Sequence, residues 1–334
     1  MDTFNCTIPS PITLESGVQL PIQIEYSVVG TPKNDGANVV FVCPPLTANS
    51  CVTKWWSRLF GSGKFFDPDR YSILCPAPLG SAYGTTGPWT TSRDKASLGH
   101  KFPNITVRDI ARANLALIDY LGYSNIRLLV GASLGGEVSL EMCIMRGNLF
   151  NSMLLLACAT KQSQYRAAHN ETQRQIIELD PSSDHSEQSA GMGGLAIARA
   201  AAVLSYRPFS AYEKTQKGYD DETGKHKAIF YQHYKGKELA ERFNSISYNR
   251  LLNAQDCHDI GRDRGGVKAV LSSISSHVHM IAFTGDPIYS LGEQKLIADG
   301  VPDGTFDLVS TDFGHDAFLI ESTQITDLLN RYQI

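Results

Sequence analysis

The sequence lacks any apolar run long enough to span a bilayer, so we do not expect a membrane protein. Its first six residues lack the positive segment and apolar core of a secretion signal, which predicts a cytoplasmic location. An excess of one charge is also absent, because 30 Lys and Arg residues stand against 34 Asp and Glu residues, without an extended basic region. Nucleic acid is therefore not an expected partner.

Paired cysteines are absent too. The seven cysteines are scattered and include no Cys-x-x-Cys pair, which argues against a disulfide framework and a structural zinc site. His277 and His279 share one face of a predicted strand, but no third ligand lies nearby in the sequence, so no metal site is predicted. The glycine clusters at 61–64 and 191–194 do not follow strands, and we expect no phosphate loop, dinucleotide site or bound cofactor.

What the sequence does contain is a serine between glycines at a predicted turn from strand to helix. The segment 131–136, Gly-Ala-Ser-Leu-Gly-Gly, follows the apolar run 126–130 and precedes a helical pattern through Met145. This is the context of a G-x-S-x-G nucleophile elbow. The glycines are needed because side chains two residues from the serine would collide with the adjoining strand and helix. Ser133 is therefore predicted to be a nucleophile.

Two later segments supply a base and an orienting acid in the chain order Ser, Asp, His. Asp286 lies at the carboxyl end of a predicted buried strand and precedes Pro287, which cannot continue a ladder. His315 lies in the loop between a predicted strand over 305–310 and the final helix. Ser133, His315 and Asp286 are thus predicted to form a catalytic triad.

The order of elements predicts an α/β protein with a mostly parallel sheet flanked by helices. Buried strands are predicted over 37–43, 71–75, 126–130 and 152–158, with an amphipathic helix over 107–121. Residues 22–29 have the pattern of an antiparallel edge strand. From about 161 to 274 the pattern is helical, so we predict a core over 1–160 and 275–334 with an inserted helical lid over 161–274.

Together these motifs resemble the homoserine O-acetyltransferase family of α/β-hydrolase fold enzymes. The segments that carry the resemblance are the elbow, 45–49, 79–88, 106–109, 171–175, 206–207 and 315–319. The resemblance covers about residue 20 to the C-terminus and implies an acyltransferase with a Ser-His-Asp triad. An acyl group would pass from coenzyme A to Ser133 and then to the hydroxyl group of an amino acid.

The resemblance implies roles for further residues. The backbone amides of Leu46 and Leu134 would form the oxyanion hole. Arg199 and Tyr206 would bind the carboxylate of a zwitterionic acceptor, and Asp316 would bind its ammonium group. Acetyl-CoA is the implied co-substrate, methionine synthesis the implied pathway, and a homodimer formed through the lid helices the implied assembly.

The sequence departs from the family pattern beside the implied acyl tunnel. It has Pro-Pro-Leu-Thr at 44–47 where family members usually have His-Ala-Leu-Thr, and Ser-Ala-Tyr-Gly at 81–84 where they have Gly-Cys-Tyr-Gly or Ser-Cys-Tyr-Gly. The segment 89–102 is shortened. These departures leave open whether the acyl group is acetyl or succinyl, and whether the acceptor is homoserine or serine. A serine hydrolase that uses water is the alternative function, and a silent binding protein is a third.

Overall fold

The computed structural model describes residues 2–90 and 97–332; residues 91–96, within the shortened segment 89–102, lie outside the described residues. The strands are β1 (Asp2–Thr7), β2 (Ile12–Thr13), β3 (Gln19–Leu20), β4 (Gln23–Val29), β5 (Val39–Cys43), β6 (Ser72–Pro76), β7 (Ile126–Ala132), β8 (Phe150–Leu156), β9 (His277–Phe283) and β10 (Gly304–Val309). The α-helices are α1 (Val52–Trp55), α2 (Val107–Tyr120), α3 (Leu134–Met145), α4 (Gln164–Glu178), α5 (Met192–Tyr206), α6 (Phe209–Thr215), α7 (Lys227–Ala240), α8 (Ser245–Asp256), α9 (Val267–Leu271), α10 (Leu291–Gly300), α11 (Ala317–Ile320) and α12 (Ser322–Tyr332). Short 3-10 turns lie at Gly99–Lys101, Gly147–Leu149 and Gly314–Asp316.

Within the described residues, eight strands form one sheet in the order β1-β4-β6-β5-β7-β8-β9-β10. Six of these strands are parallel to one another, namely β6, β5, β7, β8, β9 and β10. Strand β4 is antiparallel to both of its neighbours, β1 and β6. The predicted mostly parallel sheet is confirmed. The strand predicted over 22–29 is antiparallel, but its predicted edge position is wrong, because β1 pairs along its outer side.

The central strands are buried on both faces because helices cover both sides of the sheet. In β5, Val39, Phe41 and Cys43 pack into one core, and Val40 and Val42 pack into the other. This alternation follows from the two-residue period of a strand. Residues of α2, α3 and α10 join the first core and residues of α12 join the second. The sheet is therefore a rigid base for the loops at its ends.

Helices α4 to α9 lie in the chain between β8 and β9, although these two strands are adjacent and parallel in the sheet. The chain thus leaves the sheet after Leu156 and returns at His277. Two of its helices begin with side-chain caps, since Ser163 accepts a hydrogen bond from the Arg166 N–H and Asn244 accepts one from the Ser247 N–H. We interpret this segment as the helical lid, and its exact limits at 161 and 274 stay a prediction.

Neither a membrane-spanning helix nor a metal-binding cluster is found among residues 2–90 and 97–332. No helix in that part of the chain is long and apolar enough to cross a membrane. No group of three His, Cys, Asp or Glu side chains there is placed to hold a metal ion. His277 instead pairs with Asp303, with 2.7 Å between Nδ1 and Oδ1, and His279 Nδ1 lies 2.9 Å from Thr305 Oγ1.

Candidate active site

Ser133 lies at a sharp turn between β7 and α3. Its φ of 55° and ψ of −127° lie outside the backbone regions that residues other than glycine ordinarily adopt. The turn requires glycine at two flanking positions. A Cβ atom on Gly135 would lie 2.0 Å from the carbonyl oxygen of Cys43 on β5, and one on Gly131 would lie 2.2 Å from the carbonyl oxygen of Gly135. The predicted strand, turn and helix around Ser133 are confirmed, as is the steric need for these glycines.

The structure brings Ser133, His315 and Asp286 together from three loops. His315 Nε2 lies 3.1 Å from Ser133 Oγ, and His315 Nδ1 lies 3.0 Å from Asp286 Oδ2. Ser133 and His315 are 9% and 5% exposed, and the Asp286 side chain is 0% exposed. A nucleophile, a base and an orienting carboxylate in this order can carry out acyl transfer.

The loops after β9 and β10 position the acid and the base. Thr284 Oγ1 donates to the Thr311 carbonyl at 2.9 Å and accepts the Thr311 N–H at 2.8 Å, which ties the two loops together. Asp286 Oδ1 accepts two backbone N–H groups of the turn that follows it. The second carboxylate oxygen of Asp286 is therefore directed to His315.

Leu46 and Leu134 follow the neighbouring strands β5 and β7. Leu134 is the first residue of α3, and the Ser133 side chain makes no capping hydrogen bond to that helix. Within residues 2–90 and 97–332, neither the Leu46 nor the Leu134 N–H donates a hydrogen bond. Leu46 also lines the same cavity as Ser133. These amides are the kind of preorganised donor that binds an oxyanion.

Arg199 and Tyr206 lie two turns apart on α5, close to His315. The Arg199 guanidinium carbon is 5.2 Å from the centre of the Tyr206 ring, and the Tyr206 ring is 5.7 Å from the His315 ring. Burial raises the pKa of Tyr206 although the Arg199 cation opposes the shift, so the phenol is neutral near pH 7.

Asp316 lies beside the base and contacts a residue to which the sequence assigned no role. Its Oδ2 accepts a hydrogen bond from Arg207 Nε at 2.5 Å. Burial alone would lower the pKa of Arg199, but Tyr206, Tyr248 and Asp316 together raise it above its ordinary value. Positive and negative side chains therefore lie together next to His315.

A cavity of about 40 Å³ opens beside Ser133. Polar side chains to which the sequence analysis gave no individual role line its lid side, namely Gln162, Arg166, His169, Asn170, Gln173 and Gln255. A depression of about 730 Å³ lies near the ends of α2 and α3, but it contains none of the predicted site residues. We assign the site to the smaller cavity because it contains the nucleophile.

Sequence reasoning also missed a buried cluster next to Ser133. Arg166 Nη1 lies 2.5 Å from Glu137 Oε1, and the Tyr289 hydroxyl donates to the same oxygen at 3.1 Å. The available signal was Glu137 itself, a charged residue in the first turn of an otherwise largely apolar α3. Its partners are 29 and 152 residues away in the chain, and no local pattern indicates them.

Curated proteins named homoserine O-acetyltransferase align with nearly the whole chain. The protein from Cyclobacterium marinum is 38% identical over 325 residues, which cover 97% of this chain and 93% of that protein. The protein from Chlorobium chlorochromatii is 35% identical over 337 residues, with 98% and 94% covered. The chain belongs to the homoserine O-acetyltransferase family. The family predicted from the motifs is thus confirmed, and with it the expectation of an acyltransferase.

Solved structures agree with this membership in the homoserine O-acetyltransferase family. The homoserine O-acetyltransferase from Staphylococcus aureus superposes with a TM-score of 0.82 at 27% identity, covering 99% of this chain and 94% of the other. Esterase E22 superposes with a TM-score of 0.88 over 99% of both chains, but at 18% identity it shows the fold alone. No protein-family model matches the chain. The predicted α/β-hydrolase fold is confirmed.

Proposed function

We propose that this protein transfers an acetyl group from acetyl-CoA to the hydroxyl group of L-homoserine through an acetyl ester on Ser133. The observation that carries the proposal is the relay of Ser133, His315 and Asp286, with separations of 3.1 and 3.0 Å. The name of the aligned relatives supports acetyl as the group and homoserine as the acceptor.

In the first half-reaction, His315 Nε2 removes the Ser133 proton while Oγ attacks the carbonyl carbon of the thioester. The N–H groups of Leu46 and Leu134 stabilise the negative charge on the carbonyl oxygen. The C–S bond then breaks, and coenzyme A leaves as a thiol with the proton from His315. Asp286 keeps the imidazole oriented and stabilises its charged form.

In the second half-reaction, His315 removes the proton of the acceptor hydroxyl, whose oxygen attacks the acetyl ester. The bond from the acetyl carbon to Oγ breaks, and the proton returns from His315 to Ser133. Arg199 and Tyr206 bind the carboxylate of the acceptor, and Asp316 binds its ammonium group. In support, Asp316 Oδ1 accepts no hydrogen bond from the described residues 2–90 and 97–332, which leaves that oxygen for a ligand.

The name of the aligned relatives supports acetyl over longer acyl groups. A succinyl group is longer than an acetyl group by a methylene and a carboxylate. We expect succinyl-CoA to acylate Ser133 more slowly than acetyl-CoA, and comparison of the two thioesters in the thiol-release assay measures the difference.

A homodimer formed through the lid is part of the proposal. Helices α5 and α7 lie side by side, joined by a hydrogen bond of 3.0 Å from Gln232 to the Ala200 carbonyl. Both expose large apolar side chains, with exposed fractions of 63% for Ile197, 57% for Leu204, 43% for Ile229, 41% for Phe230 and 59% for Tyr234. Exposed apolar side chains on two adjacent helices are typical of a protein interface.

We also propose a cytoplasmic location and a role in methionine synthesis. All seven cysteines are free thiols, which fits a reducing compartment. O-acetylhomoserine, the product of the proposed reaction, is a precursor for methionine synthesis. Acetyl-CoA is a co-substrate in this scheme, and no bound cofactor is required.

Release of free thiol from acetyl-CoA, with and without L-homoserine, tests the proposal. Thiol release should depend on homoserine, and mass spectrometry after brief exposure to acetyl-CoA should show an acetyl adduct on Ser133 that homoserine discharges. Ser133→Ala should abolish both signals. Equal thiol release with and without an acceptor identifies a hydrolase instead. Absence of both adduct and thiol release contradicts acyl transfer.

A further inference from the structure

Tyr289 contacts two members of the relay and lies beside the third. Its backbone N–H donates to Asp286 Oδ1 at 3.1 Å. Its ring stacks on the His315 imidazole, with 5.3 Å between ring centres and 29° between ring planes. Its side chain lines the same cavity as Ser133. Because Tyr289 is only 1% exposed, its ring has little freedom to leave this position.

A buried ion pair holds the hydroxyl of Tyr289. Glu137 Oε1 accepts hydrogen bonds from the Tyr289 hydroxyl at 3.1 Å and from Arg166 Nη1 at 2.5 Å. The Arg166 guanidinium also lies over the Tyr289 ring, 4.3 Å from its centre, and donates to the Lys161 carbonyl. The Glu137 and Arg166 side chains are 0% and 5% exposed. Tyr289 is therefore fixed at its hydroxyl and across its ring.

These contacts set the direction of the hydrogen bonds. An ionised carboxylate only accepts, so the single phenolic proton of Tyr289 is donated to Glu137. Burial, reinforced by the Glu137 charge, raises the pKa of Tyr289 well above its ordinary value, so this proton stays in place. A buried ion pair contributes little net stability, because the cost of desolvating both groups offsets their attraction. Its main effect here is to fix the position of the Tyr289 ring.

We propose that Tyr289, anchored by Glu137 and Arg166, is a positioning residue that keeps the His315 imidazole aligned between Asp286 and Ser133. The proposal rests on the proposed role of His315 as the base. His315 must direct Nδ1 to Asp286 and Nε2 to Ser133 at the same time. The Tyr289 ring stacked on its face opposes rotation of the imidazole. Small misalignments of a catalytic group lower the rate by large factors.

The ion pair also balances the charge near the base. Glu137→Gln leaves the Arg166 cation without a partner, which disfavours a protonated His315 and moves the acid limb of kcat/KM to lower pH. Arg166→Met leaves the Glu137 carboxylate without a partner and moves the same limb to higher pH. Among the described residues, His315 also contacts Asp286, Ser133 and the rings of Tyr206 and Tyr289. Charges one contact further away are Arg199, which lies over the Tyr206 ring, and the Arg207–Asp316 pair, whose carboxylate belongs to the residue after His315.

Tyr289→Phe is the most direct test, because it removes the hydroxyl and keeps the ring and the backbone. We expect kcat for thiol release from acetyl-CoA to fall about 10-fold, with KM for acetyl-CoA changed less than about twofold. Tyr289→Leu also removes the stacked ring and should lower kcat about 100-fold. Thermal unfolding of each variant shows that the rates are compared on folded protein.

Glu141→Gln is the matched control for Glu137→Gln. Glu141 lies one turn further along α3, and its side chain is 1% exposed. It pairs with Arg108 at 3.2 Å and Arg264 at 2.7 Å, with no contact to the relay. Glu141→Gln should lower the Tm and leave the pH profile unchanged. Tyr26→Phe on β4 is the control for loss of a buried phenol.

The proposal is overturned if Tyr289→Phe and Glu137→Gln keep the wild-type kcat and the wild-type pH profile. It is also overturned if Glu137→Gln and Glu141→Gln change kcat and the pH profile equally. Shifts of opposite sign in Glu137→Gln and Arg166→Met support it. Hydrolysis of p-nitrophenyl acetate, which can acylate a serine directly, separates this test from the proposed substrates. If the wild-type protein releases p-nitrophenol but does not use acetyl-CoA, the proposed function fails and the comparison of variants still decides the role of Tyr289.

Discussion

At the scale of single residues, the proposed contact of Arg199 with the acceptor carboxylate can be tested by substitution. Arg199→Ala should lower kcat/KM for L-homoserine by about 30- to 150-fold, because loss of a charge-assisted hydrogen bond costs about 2–3 kcal/mol. The value of kcat/KM for acetyl-CoA should stay the same, since the first half-reaction does not use the acceptor. Steady-state kinetics with both substrates varied measures the two values separately.

Arg199→Lys and Arg146→Ala are the controls for this prediction. Lysine keeps the charge without the planar fork of the guanidinium, so an intermediate loss is expected. Arg146 pairs with Asp119 at the surface, and its removal should change neither constant. Equal losses of kcat/KM for both substrates in Arg199→Ala would contradict the assignment.

His279 should make the stability of the protein depend on pH. It is 5% exposed, and its ring lies 4.0 Å from the His277 ring. Burial, followed by the charge of His277, lowers the pKa of His279 to about 4, although Asp303 opposes the shift. The unfolded chain, with a pKa of about 6.5, binds a proton between these values while the folded chain does not. The contribution of His279 is therefore complete above about pH 6.5 and is lost as pH falls toward 4.

Urea unfolding at pH 7 and pH 5 measures this contribution. Over that interval the wild-type protein should lose roughly 2 kcal/mol more of its free energy of unfolding than His279→Asn does. The subtraction removes the effect of the other histidines, which both proteins share. Losses of equal size in the two proteins would show that His279 is not the group responsible.

Ser133, Asp286 and His315 could be predicted as candidates because each follows a recognisable strand, in the chain order of one fold. Glu137 and Tyr289 could not be predicted in this way. They are 152 residues apart, and their contact is between side chains of different elements. Local pattern indicates where a strand ends but not which distant side chain lies opposite a buried carboxylate.

At the scale of elements, the turn from β7 to α3 depends on close approach of backbones. A methyl group on Gly135 would lie 2.0 Å from the Cys43 carbonyl oxygen, and neither backbone can move without displacing Ser133. Gly135→Ala should lower the free energy of unfolding by about 3 kcal/mol and abolish the acetyl adduct. Chemical denaturation and mass spectrometry measure the two effects.

Gly292→Ala is the matched control for the glycine substitution. Gly292 lies in α10, and a Cβ atom there would meet no atom within 4 Å. Alanine favours a helix over glycine, so this variant should be more stable by about 0.5–1 kcal/mol and keep the adduct. An adduct of normal yield in Gly135→Ala would show that the turn tolerates a side chain.

The parallel strands could be predicted from sequence because burial on both faces produces continuous apolar runs. The segment that forms β1 has no such run, and its pairing outside β4 was missed for that reason. Helix α5 is apolar on most of its surface, so its sequence does not indicate which side faces the core. In the structure Leu195 is buried, whereas Ile197 and Leu204 are exposed.

At the scale of the whole molecule, the proposed dimer surface and the proposed acceptor site share one helix. Helix α5 carries Arg199 and Tyr206 toward His315 and exposes Ile197 and Leu204 on another side. Packing a second copy on the exposed side would cover this apolar surface and restrict movement of α5. Dimer formation should therefore affect binding of the acceptor.

The double variant Ile197→Asp with Leu204→Asp tests this coupling. Two carboxylates cannot be buried against an apolar partner surface without a large desolvation cost. On size-exclusion chromatography the variant should therefore elute as a monomer of 36.6 kDa, and the wild-type protein should elute at twice that mass.

The kinetic effect of the double variant should be confined to the second half-reaction. We expect Ser133 still to accept acetyl, because the relay lies in the core, while kcat/KM for homoserine falls. Leu308→Asp on the edge strand β10, where Leu308 is 47% exposed, is the control and should stay dimeric. A monomeric wild-type protein, or a double variant that stays dimeric, would rule out an interface formed by α5.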